Sequence, residues 1–190
     1  MSITSIMIVG VGGQGTLLAS RILGNTLIGA GYDVKVSEVH GTSQRGGSVT
    51  TYVRFGDKVW SPIIEKGGAD IFLSFELLEA LRALPYLKPD GRIIVNTQQI
   101  DPMPVITGAA EYPQGIAEEL AKQAGVTAVD ALALAREAGS IKAVNVVLIG
   151  LLASRTSIPR EQWEEALRAT VPPKFLEINQ KAFALGYEHQ

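Results

Sequence analysis

Apolar residues fall into short continuous runs and helical repeats along most of the chain. The first run includes residues 6–9 and predicts a buried strand over residues 3–9, because a parallel strand covered on both faces is continuously apolar. Apolar residues with helical spacing follow over residues 14–30, and Gly31 is the expected C-terminal cap. Residues 34–39 then alternate between apolar and polar, which predicts a second strand.

A second alternating segment, residues 48–55, is followed by turn residues at 56–58 and by the apolar pair Val59 and Trp60. This pattern predicts a β-hairpin whose short return strand begins at Val59. An ordinary mononucleotide-binding fold has a helix at this point, so the hairpin counts against a standard dehydrogenase.

The rest of the chain alternates strand and helix patterns and then becomes helical. Further strands are predicted over residues 70–75, 92–96 and 126–129, with a turn at 88–91 and a proline-rich surface segment over 101–113. Helical spacing covers residues 77–84, 116–124, 131–138, 142–154, 159–169 and 174–185. Together these predict one α/β domain over residues 1–190: a Rossmann-like three-layer α/β/α fold with a mainly parallel sheet, an inserted β-hairpin and a helical C-terminal third.

Between the first strand and the first helix, the sequence Gly10-Val11-Gly12-Gly13-Gln14-Gly15 has the G-x-G-x-x-G spacing of a phosphate-binding turn. Glycine allows a tight turn and a close approach of the backbone, and the helix N-terminus presents free N–H groups with partial positive charge. A tight turn that only packs the helix against the strand would need the same glycines, so both interpretations stand. The residues of this candidate site are Gly10, Gly12, Gly13, Gln14, Gly15 and Thr16.

A nicotinamide dinucleotide site would also need an acidic residue at the end of the second strand to bind the ribose hydroxyls. Glu38 is the only candidate, and it lies further along the chain than usual. An NAD(P)-binding Rossmann oxidoreductase and a non-enzymatic nucleotide-binding module therefore stand as alternatives to the function inferred below.

A polar loop follows the second strand, at the edge where open α/β sheets bind their ligands. It carries an imidazole, hydroxyls, an amide and a guanidinium within residues 40–48. Arg45 can hold a phosphate or carboxylate through two hydrogen bonds, and His40 is a candidate general acid–base, although such a loop can also do no more than cap its own backbone. The candidate binding residues here are Thr42, Ser43, Gln44, Arg45, Gly46, Gly47 and Ser48.

Composition narrows the chemistry that the chain can perform. It has no cysteine, so it has no thiolate nucleophile, disulfide or thiolate-bound iron–sulfur cluster of its own, which fits a reducing cytoplasm. Its two histidines are too few for a zinc site of the usual kind, so no metal is expected. The net charge of −2 provides no basic face for nucleic acid.

No basic segment precedes the first apolar run, so a signal peptide is not expected. The longest apolar run, residues 143–153, is about half of the roughly 20 residues that cross a bilayer, so a cytoplasmic protein with no membrane partner is predicted. Asn145 lies within this run. Because a buried amide must be hydrogen-bonded, we expect it to tether its helix to a loop.

Taken together, residues 10–15 and 38–49 resemble the gamma subunit or domain of thiamin-diphosphate-dependent 2-oxoacid:ferredoxin oxidoreductases of the pyruvate/ketoisovalerate type. The closest resemblance is to the small beta subunit of indolepyruvate ferredoxin oxidoreductase. The element S-Q-R-G-G following G-x-G-G-Q-G is far more specific than either half alone. The resemblance spans nearly the whole chain, with further matches at Ser61-Pro62, Ala69-Asp70, Glu79-Ala80-Leu81-Arg82 and Asn145.

The resemblance implies a non-autonomous subunit of a hetero-oligomer that converts a 2-oxoacid and coenzyme A to an acyl-CoA and carbon dioxide, with two electrons passed to ferredoxin. It implies that thiamin diphosphate and the iron–sulfur clusters lie on catalytic partner chains and that this chain holds no cofactor alone. It places Gly12 to Thr16 against a coenzyme phosphate or a partner loop, and Thr42 to Ser48 in a shared cleft. An aryl pyruvate such as indolepyruvate is the first choice of substrate, with pyruvate, 2-oxoisovalerate and 2-oxoglutarate open.

Overall fold

A six-stranded sheet forms the middle layer of the protein in a computed structural model that describes residues 3–41, 46–123 and 125–189. Its strands are β1 (Thr4–Val11), β2 (Asp33–His40), β3 (Ser48–Gly56), β4 (Ala69–Ser74), β5 (Leu87–Asn96) and β6 (Val126–Val129). They lie in the order β2-β3-β1-β4-β5-β6. The pairs β1–β4, β4–β5 and β5–β6 are parallel. Strand β3 is antiparallel to both of its neighbours, β2 and β1. The sheet is therefore mainly parallel, as predicted.

Helices cover both faces of this sheet. Those in the described residues are α1 (Thr16–Gly29), α2 (Leu77–Ala83), α3 (Met103–Ile106), α4 (Ile116–Ala121), α5 (Ala131–Ala138), α6 (Val144–Ala153), α7 (Arg160–Thr170) and α8 (Leu176–Tyr187). The larger core lies under α1 and the four C-terminal helices α5 to α8, and the smaller core lies under α2 and α4.

Strand β1 shows why the chain forms three layers. The side chains of Ile6 and Ile8 join the larger core, whereas those of Met7 and Val9 join the smaller core on the opposite face. Successive residues of a strand point to opposite faces, so a strand buried on both faces must be continuously apolar. The three-layer α/β/α fold predicted from the sequence is confirmed.

Helix α6 is the centre of the larger core, and all of its residues are buried. It crosses α8 at two glycines, because a Cβ atom at Gly150 would lie 2.2 Å from the carbonyl oxygen of Phe183. A Cβ atom at Gly186 would lie 2.0 Å from the carbonyl oxygen of Val147. Both contacts are with backbone, so only glycine permits this helix separation.

The predicted hairpin is correct in existence but wrong in its strands. No strand begins at Val59; instead β3 pairs with β2, with Asp33 opposite Gly56 and His40 opposite Val49. The N–H of Val59 donates to the carboxylate of Asp33 at 2.8 Å, and the guanidinium of Arg54 donates to the carbonyl of Ser61 at 2.9 Å. These side chains satisfy the backbone that a return strand would have paired.

The turn predicted at residues 88–91 is also wrong, because β5 continues through it. Ala69 pairs with Leu87 and Ile71 pairs with Arg92, so four residues of β5 stand opposite Asp70 alone. Lys88 forms an ion pair with Asp70 across this irregularity. The turn-forming residues are thus accommodated as an irregular bulge of several residues inside a strand.

The predicted helices differ from the observed ones at their ends, and α3 is a short helix that was not predicted within the proline-rich segment. Helix α1 begins at Thr16 rather than Gln14, and α4 ends at Ala121 rather than residue 124, which lies outside the described residues. The N–H of Gly31, whose φ is +88°, donates to the carbonyl of Ile28 at 2.9 Å and closes α1 as expected. Among the helices described, none is both long and apolar enough to cross a membrane.

Candidate functional site

The glycine loop joins the end of β1 to the start of α1 at the carboxyl edge of the sheet. Gly13 has a φ of +100° and Gly15 a φ of +84°, a region that side chains with a Cβ atom rarely adopt. A Cβ atom at Gly10 would lie 3.0 Å from that of Phe75, and one at Gly15 would lie 2.6 Å from the side-chain nitrogen of Asn145. These glycines are therefore required by the turn and by its close packing.

Two amide side chains fix this loop from inside the protein. The side chain of Gln14 accepts from the N–H of Val11 at 2.8 Å and donates to the carbonyl of Phe75 at 3.0 Å. Asn145, which is buried, donates to the carbonyl of Gly15 at 3.2 Å. The predicted tether from Asn145 to a loop is confirmed, and the side chain of Gln14 has a structural role in addition to its place in the candidate site.

The N-terminus of α1 is free to bind an anion. Gly15 is the N-cap residue, no side chain caps the helix, and its first turn has no acidic residue. In a helix with a side-chain cap, the capping side chain binds one of the free N–H groups of the first turn. In α1 no side chain does so, and the free N–H groups and the helix dipole remain available to a ligand. The geometry is thus compatible with the phosphate-binding interpretation of the glycine loop.

The polar loop after β2 returns beside the glycine loop. The N–H of Gly12 donates to the carbonyl of Gly47 at 2.8 Å, and the N–H of Gly46 donates to the carbonyl of Gly12 at 3.4 Å. Ser48 then stands opposite Val11 in the β1–β3 ladder. The structure therefore brings Gly46, Gly47 and Ser48 to the glycine loop, and the candidates Thr42, Ser43, Gln44 and Arg45 lie outside the described residues.

A cleft of about 450 Å³ opens at this junction. It is lined by Gly12, Gly13, Gly15, Thr16, Leu17, Glu38, His40 and Val49. The imidazole of His40 is exposed, with Nδ1 3.0 Å from the carbonyl oxygen of Gly41, so its role as a general acid–base stays a prediction. Glu38 lines the cleft and accepts from the hydroxyl of Thr51 at 3.3 Å.

Two buried glutamates at the start of α2, on the face of the sheet opposite α1, were not among the candidate site residues. Ser48 donates its hydroxyl to the carboxylate of Glu79, which is 5% exposed and also binds Arg82 at 2.6 Å. The hydroxyl of Ser48 is therefore held by α2 at the start of β3. The sequence signals for Glu79 are its place in the family match Glu79-Ala80-Leu81-Arg82 and its helical spacing from Arg82, and such spacing normally indicates an exposed surface pair.

Glu76 is the second buried carboxylate, with 1% exposure, and it caps α2. It accepts from the N–H of Glu79 at 2.9 Å, from the N–H of Ile100 at 3.1 Å and from the hydroxyl of Tyr112. Burial and the neighbouring carboxylate raise the pKa of the Tyr112 hydroxyl far above its usual value. This network ties the proline-rich segment that follows β5 to the helix that holds Ser48.

Comparison with known proteins places the chain in a family. The family model described as pyruvate ferredoxin/flavodoxin oxidoreductase matches residues 5–189. The chain is 46% identical to the indolepyruvate oxidoreductase subunit IorB of Thermococcus kodakarensis, over 96% of this chain and 93% of that protein. It is 29% identical to the pyruvate/ketoisovalerate oxidoreductases common subunit gamma of Pyrococcus furiosus, over 94% and 92%.

Solved structures have the same fold. The gamma subunit of the keto/oxoacid ferredoxin oxidoreductase from Geobacter sulfurreducens matches with a TM-score of 0.73 and 25% identity, over 97% of this chain and 96% of that chain. The 2-oxoglutarate:ferredoxin oxidoreductase from Magnetococcus marinus matches with a TM-score of 0.74 and 19% identity, over 98% of this chain but 31% of that longer chain. The resemblance found in the glycine and polar loops is confirmed over the whole sequence, and the chain belongs to the pyruvate ferredoxin/flavodoxin oxidoreductase family.

Proposed function

We propose that this chain is the small subunit of a 2-oxoacid:ferredoxin oxidoreductase and acts only in complex with a larger catalytic chain. The enzyme would convert a 2-oxoacid and coenzyme A to an acyl-CoA and carbon dioxide, with two electrons passed to ferredoxin. The observation that carries this proposal is the cleft in which the uncapped N-terminus of α1 meets the ends of β2 and β3. The 46% identity to an indolepyruvate oxidoreductase subunit supports it.

Coenzyme A is the ligand that we propose for this cleft. Its phosphates suit the free N–H groups of α1, and the one free hydroxyl of its 3′-phosphorylated ribose suits the carboxylate of Glu38, which also lines the cleft. Arg45, whose guanidinium can bind a phosphate, precedes Gly46 in the sequence, and the N–H of Gly46 donates to the carbonyl of Gly12. The Magnetococcus marinus structure was determined with coenzyme A bound, which agrees in ligand class with this proposal.

Thiamin diphosphate and the iron–sulfur clusters are proposed to lie on the partner. Bound there, thiamin diphosphate would supply an electron sink for decarboxylation and the clusters would carry the electrons. This chain has no cysteine to ligate a cluster, and in the parts that the structure describes no group of His, Cys, Asp or Glu side chains could hold a metal ion. Its own residues would bind the coenzyme, orient it and close one wall of the cleft.

We propose indolepyruvate or another aryl pyruvate as the substrate. The support is the name and the 46% identity of the Thermococcus kodakarensis subunit, against 29% for the pyruvate/ketoisovalerate gamma subunit. Pyruvate, 2-oxoisovalerate and 2-oxoglutarate are the competing substrates, and the catalytic partner would share in choosing between them.

The test is to purify the chain anaerobically with its catalytic partner and to measure ferredoxin reduction with each 2-oxoacid in turn. We expect activity to require coenzyme A and to be highest with indolepyruvate. Arg45→Ala should raise the KM for coenzyme A at least about tenfold, since a charge-assisted hydrogen bond contributes about 1.5–3 kcal/mol. Arg136→Ala, which removes an exposed arginine from α5, is the matched control and should leave this KM unchanged.

Two results would redirect the assignment. Unchanged turnover and unchanged coenzyme A dependence in Arg45→Ala would remove the polar loop from the coenzyme site. Tight binding of NAD(P)H by the isolated chain, with no thiamin-containing partner, would favour a nicotinamide oxidoreductase that uses Glu38 for the ribose.

A further inference from the structure

A second cavity lies in the helical layer, on the other side of the first turn of α1. It has a volume of about 210 Å³ and is called here the α1–α8 pocket. Its apolar lining comes from Leu18, Ala143, Val171, Pro172, Phe175 and Ile178.

Two of the polar side chains that border the pocket, those of Ser140 and Asn179, are engaged in local hydrogen bonds. The hydroxyl of Ser140 accepts from the N–H of Lys142 at 3.3 Å, and the amide of Asn179 donates to the carbonyl of Phe175 at 2.8 Å. The interior of the pocket therefore suits an apolar group, of about the size of one large side chain.

The rim of the pocket leaves apolar surface in water. Phe175, which lines the pocket, is 48% exposed, and Ile141, which precedes the lining residue Lys142 in the chain, is 58% exposed. Exposed apolar side chains at the mouth of an apolar pocket mark an interaction site more often than a small-ligand site, since a small molecule inside the pocket would leave them uncovered.

The rim is also positively charged. Lys142 is exposed and forms no ion pair with any described residue, and Nζ of Lys174 lies 4.7 Å from the centre of the Phe175 ring. A two-fold contact between two copies of this chain would bring these lysines together, which opposes self-association. The complementary surface must carry carboxylates around an apolar side chain.

Local contacts hold the backbone of the rim at Phe175. Pro172 and Pro173 restrict the backbone that leads to Phe175, whose N–H donates to the carbonyl of Pro172 at 2.9 Å. Asn179 holds the carbonyl of the same residue. An anchor that is already ordered loses little conformational entropy on association, which strengthens binding.

The pocket adjoins the proposed coenzyme site. Leu18 lines the pocket, and its neighbour Leu17, 48% exposed, lines the cleft of the glycine loop. A protein bound at the rim would therefore lie next to the coenzyme cleft, separated from it by one turn of α1. In the longer Magnetococcus marinus chain, a unit of this fold is joined to further polypeptide.

We propose that the catalytic partner docks on this rim by inserting one apolar side chain, flanked by carboxylates, into the α1–α8 pocket. This inference rests on the proposed function, because it supposes that such a partner exists. Docking in this position would make the partner's surface the missing wall of the coenzyme cleft.

The test measures binding of the purified full-length chain to the purified catalytic partner by isothermal titration calorimetry. Phe175→Asp should weaken binding at least about 30-fold, as expected for the loss of a central anchor. Lys142→Glu should weaken it about tenfold and reduce its dependence on salt. Ile28→Asp is the matched control, since Ile28 is 62% exposed at the far end of α1, and it should bind as the unchanged chain does.

Circular dichroism and thermal unfolding of each variant show whether it is folded, and Lys142→Glu, an exchange of one exposed residue, gives a reading even if Phe175→Asp unfolds. Unchanged binding by folded Phe175→Asp and by Lys142→Glu would overturn the docking site while leaving the proposed function intact. An unchanged chain that binds no thiamin-containing partner would overturn both. Loss of a homodimer, with partner binding retained, would assign the rim to a second copy and overturn the proposal.

Discussion

Replacing Gly15 by alanine should destabilise the protein more than the same change at Gly13, although both glycines have positive φ. A Cβ atom at Gly13 meets nothing within 4 Å, so the cost there is the left-handed conformation alone, about 1–2 kcal/mol. A Cβ atom at Gly15 would lie 2.6 Å from the side-chain nitrogen of Asn145 and would displace its hydrogen bond to the loop. Losing that buried hydrogen bond adds about 1–3 kcal/mol.

The expected loss in the free energy of unfolding is therefore about 1–2 kcal/mol for Gly13→Ala and about 2–5 kcal/mol for Gly15→Ala. Urea denaturation of the isolated chain measures both, and a loss of 1 kcal/mol corresponds to a fall of about 2–4 °C in Tm for a protein of this size.

A double-mutant cycle isolates the contact with Asn145. In an Asn145→Ala background the obstacle is gone, so adding Gly15→Ala should cost only the conformational part, about 1–2 kcal/mol. Equal losses for the two glycine variants, or strict additivity of Gly15→Ala and Asn145→Ala, would refute the inference that the amide and the loop backbone share this space.

Two further predictions concern the helix crossing and the buried acid network. Gly186→Ala should lower the free energy of unfolding by about 3 kcal/mol, because the new Cβ atom would lie 2.0 Å from a backbone oxygen of α6. Gly29→Ala, where the new Cβ atom meets nothing within 4 Å, should raise the free energy of unfolding by about 0.5–1 kcal/mol. Urea denaturation compares the two variants, and equal stability would contradict the close crossing of α6 and α8. The pKa of the Tyr112 hydroxyl is raised in the folded state, so the stability that this hydroxyl contributes is complete below pH 10 and is lost as the pH rises above 10. Above pH 10 the free energy of unfolding of Tyr112→Phe should therefore fall less steeply than that of the unchanged chain. Parallel pH profiles of the two proteins would argue against the contact between Tyr112 and Glu76.

The sequence predicted most of the fold because its strongest signals are local. The continuous apolar run of β1, the glycine loop and the helical spacing of α5 each depend on residues close in the chain, and each was found where predicted. The strand pairing of β3 was predicted wrongly because the backbone at Val59 is satisfied by the side chain of Asp33, which lies 26 residues earlier in the chain. Asp33 and Arg54 satisfy the backbone after Gly56 and prevent the return strand that the turn residues indicated.

The site was predictable in its backbone but not in its supports. Glycine spacing indicates a tight loop and a helix N-terminus, since those depend on a few adjacent residues. Glu76 and Glu79 gave no such signal, because acidic residues at a helix start are usually exposed caps. Their burial results from partners more than 20 residues away, such as Ile100, Tyr112 and Ser48, which only the folded chain brings together.

The position of β1 between β3 and β4 has a consequence for how this fold can diversify. In the sheet, β2 and β3 lie on one side of β1, and β4, β5 and β6 lie on the other side. Strand β1 is therefore a topological switch point. A crevice forms at such a point because the connections diverge from it, whatever side chains surround it. Its existence is therefore a property of the strand order, and its chemical preference can change through the bordering loops while the sheet keeps its register.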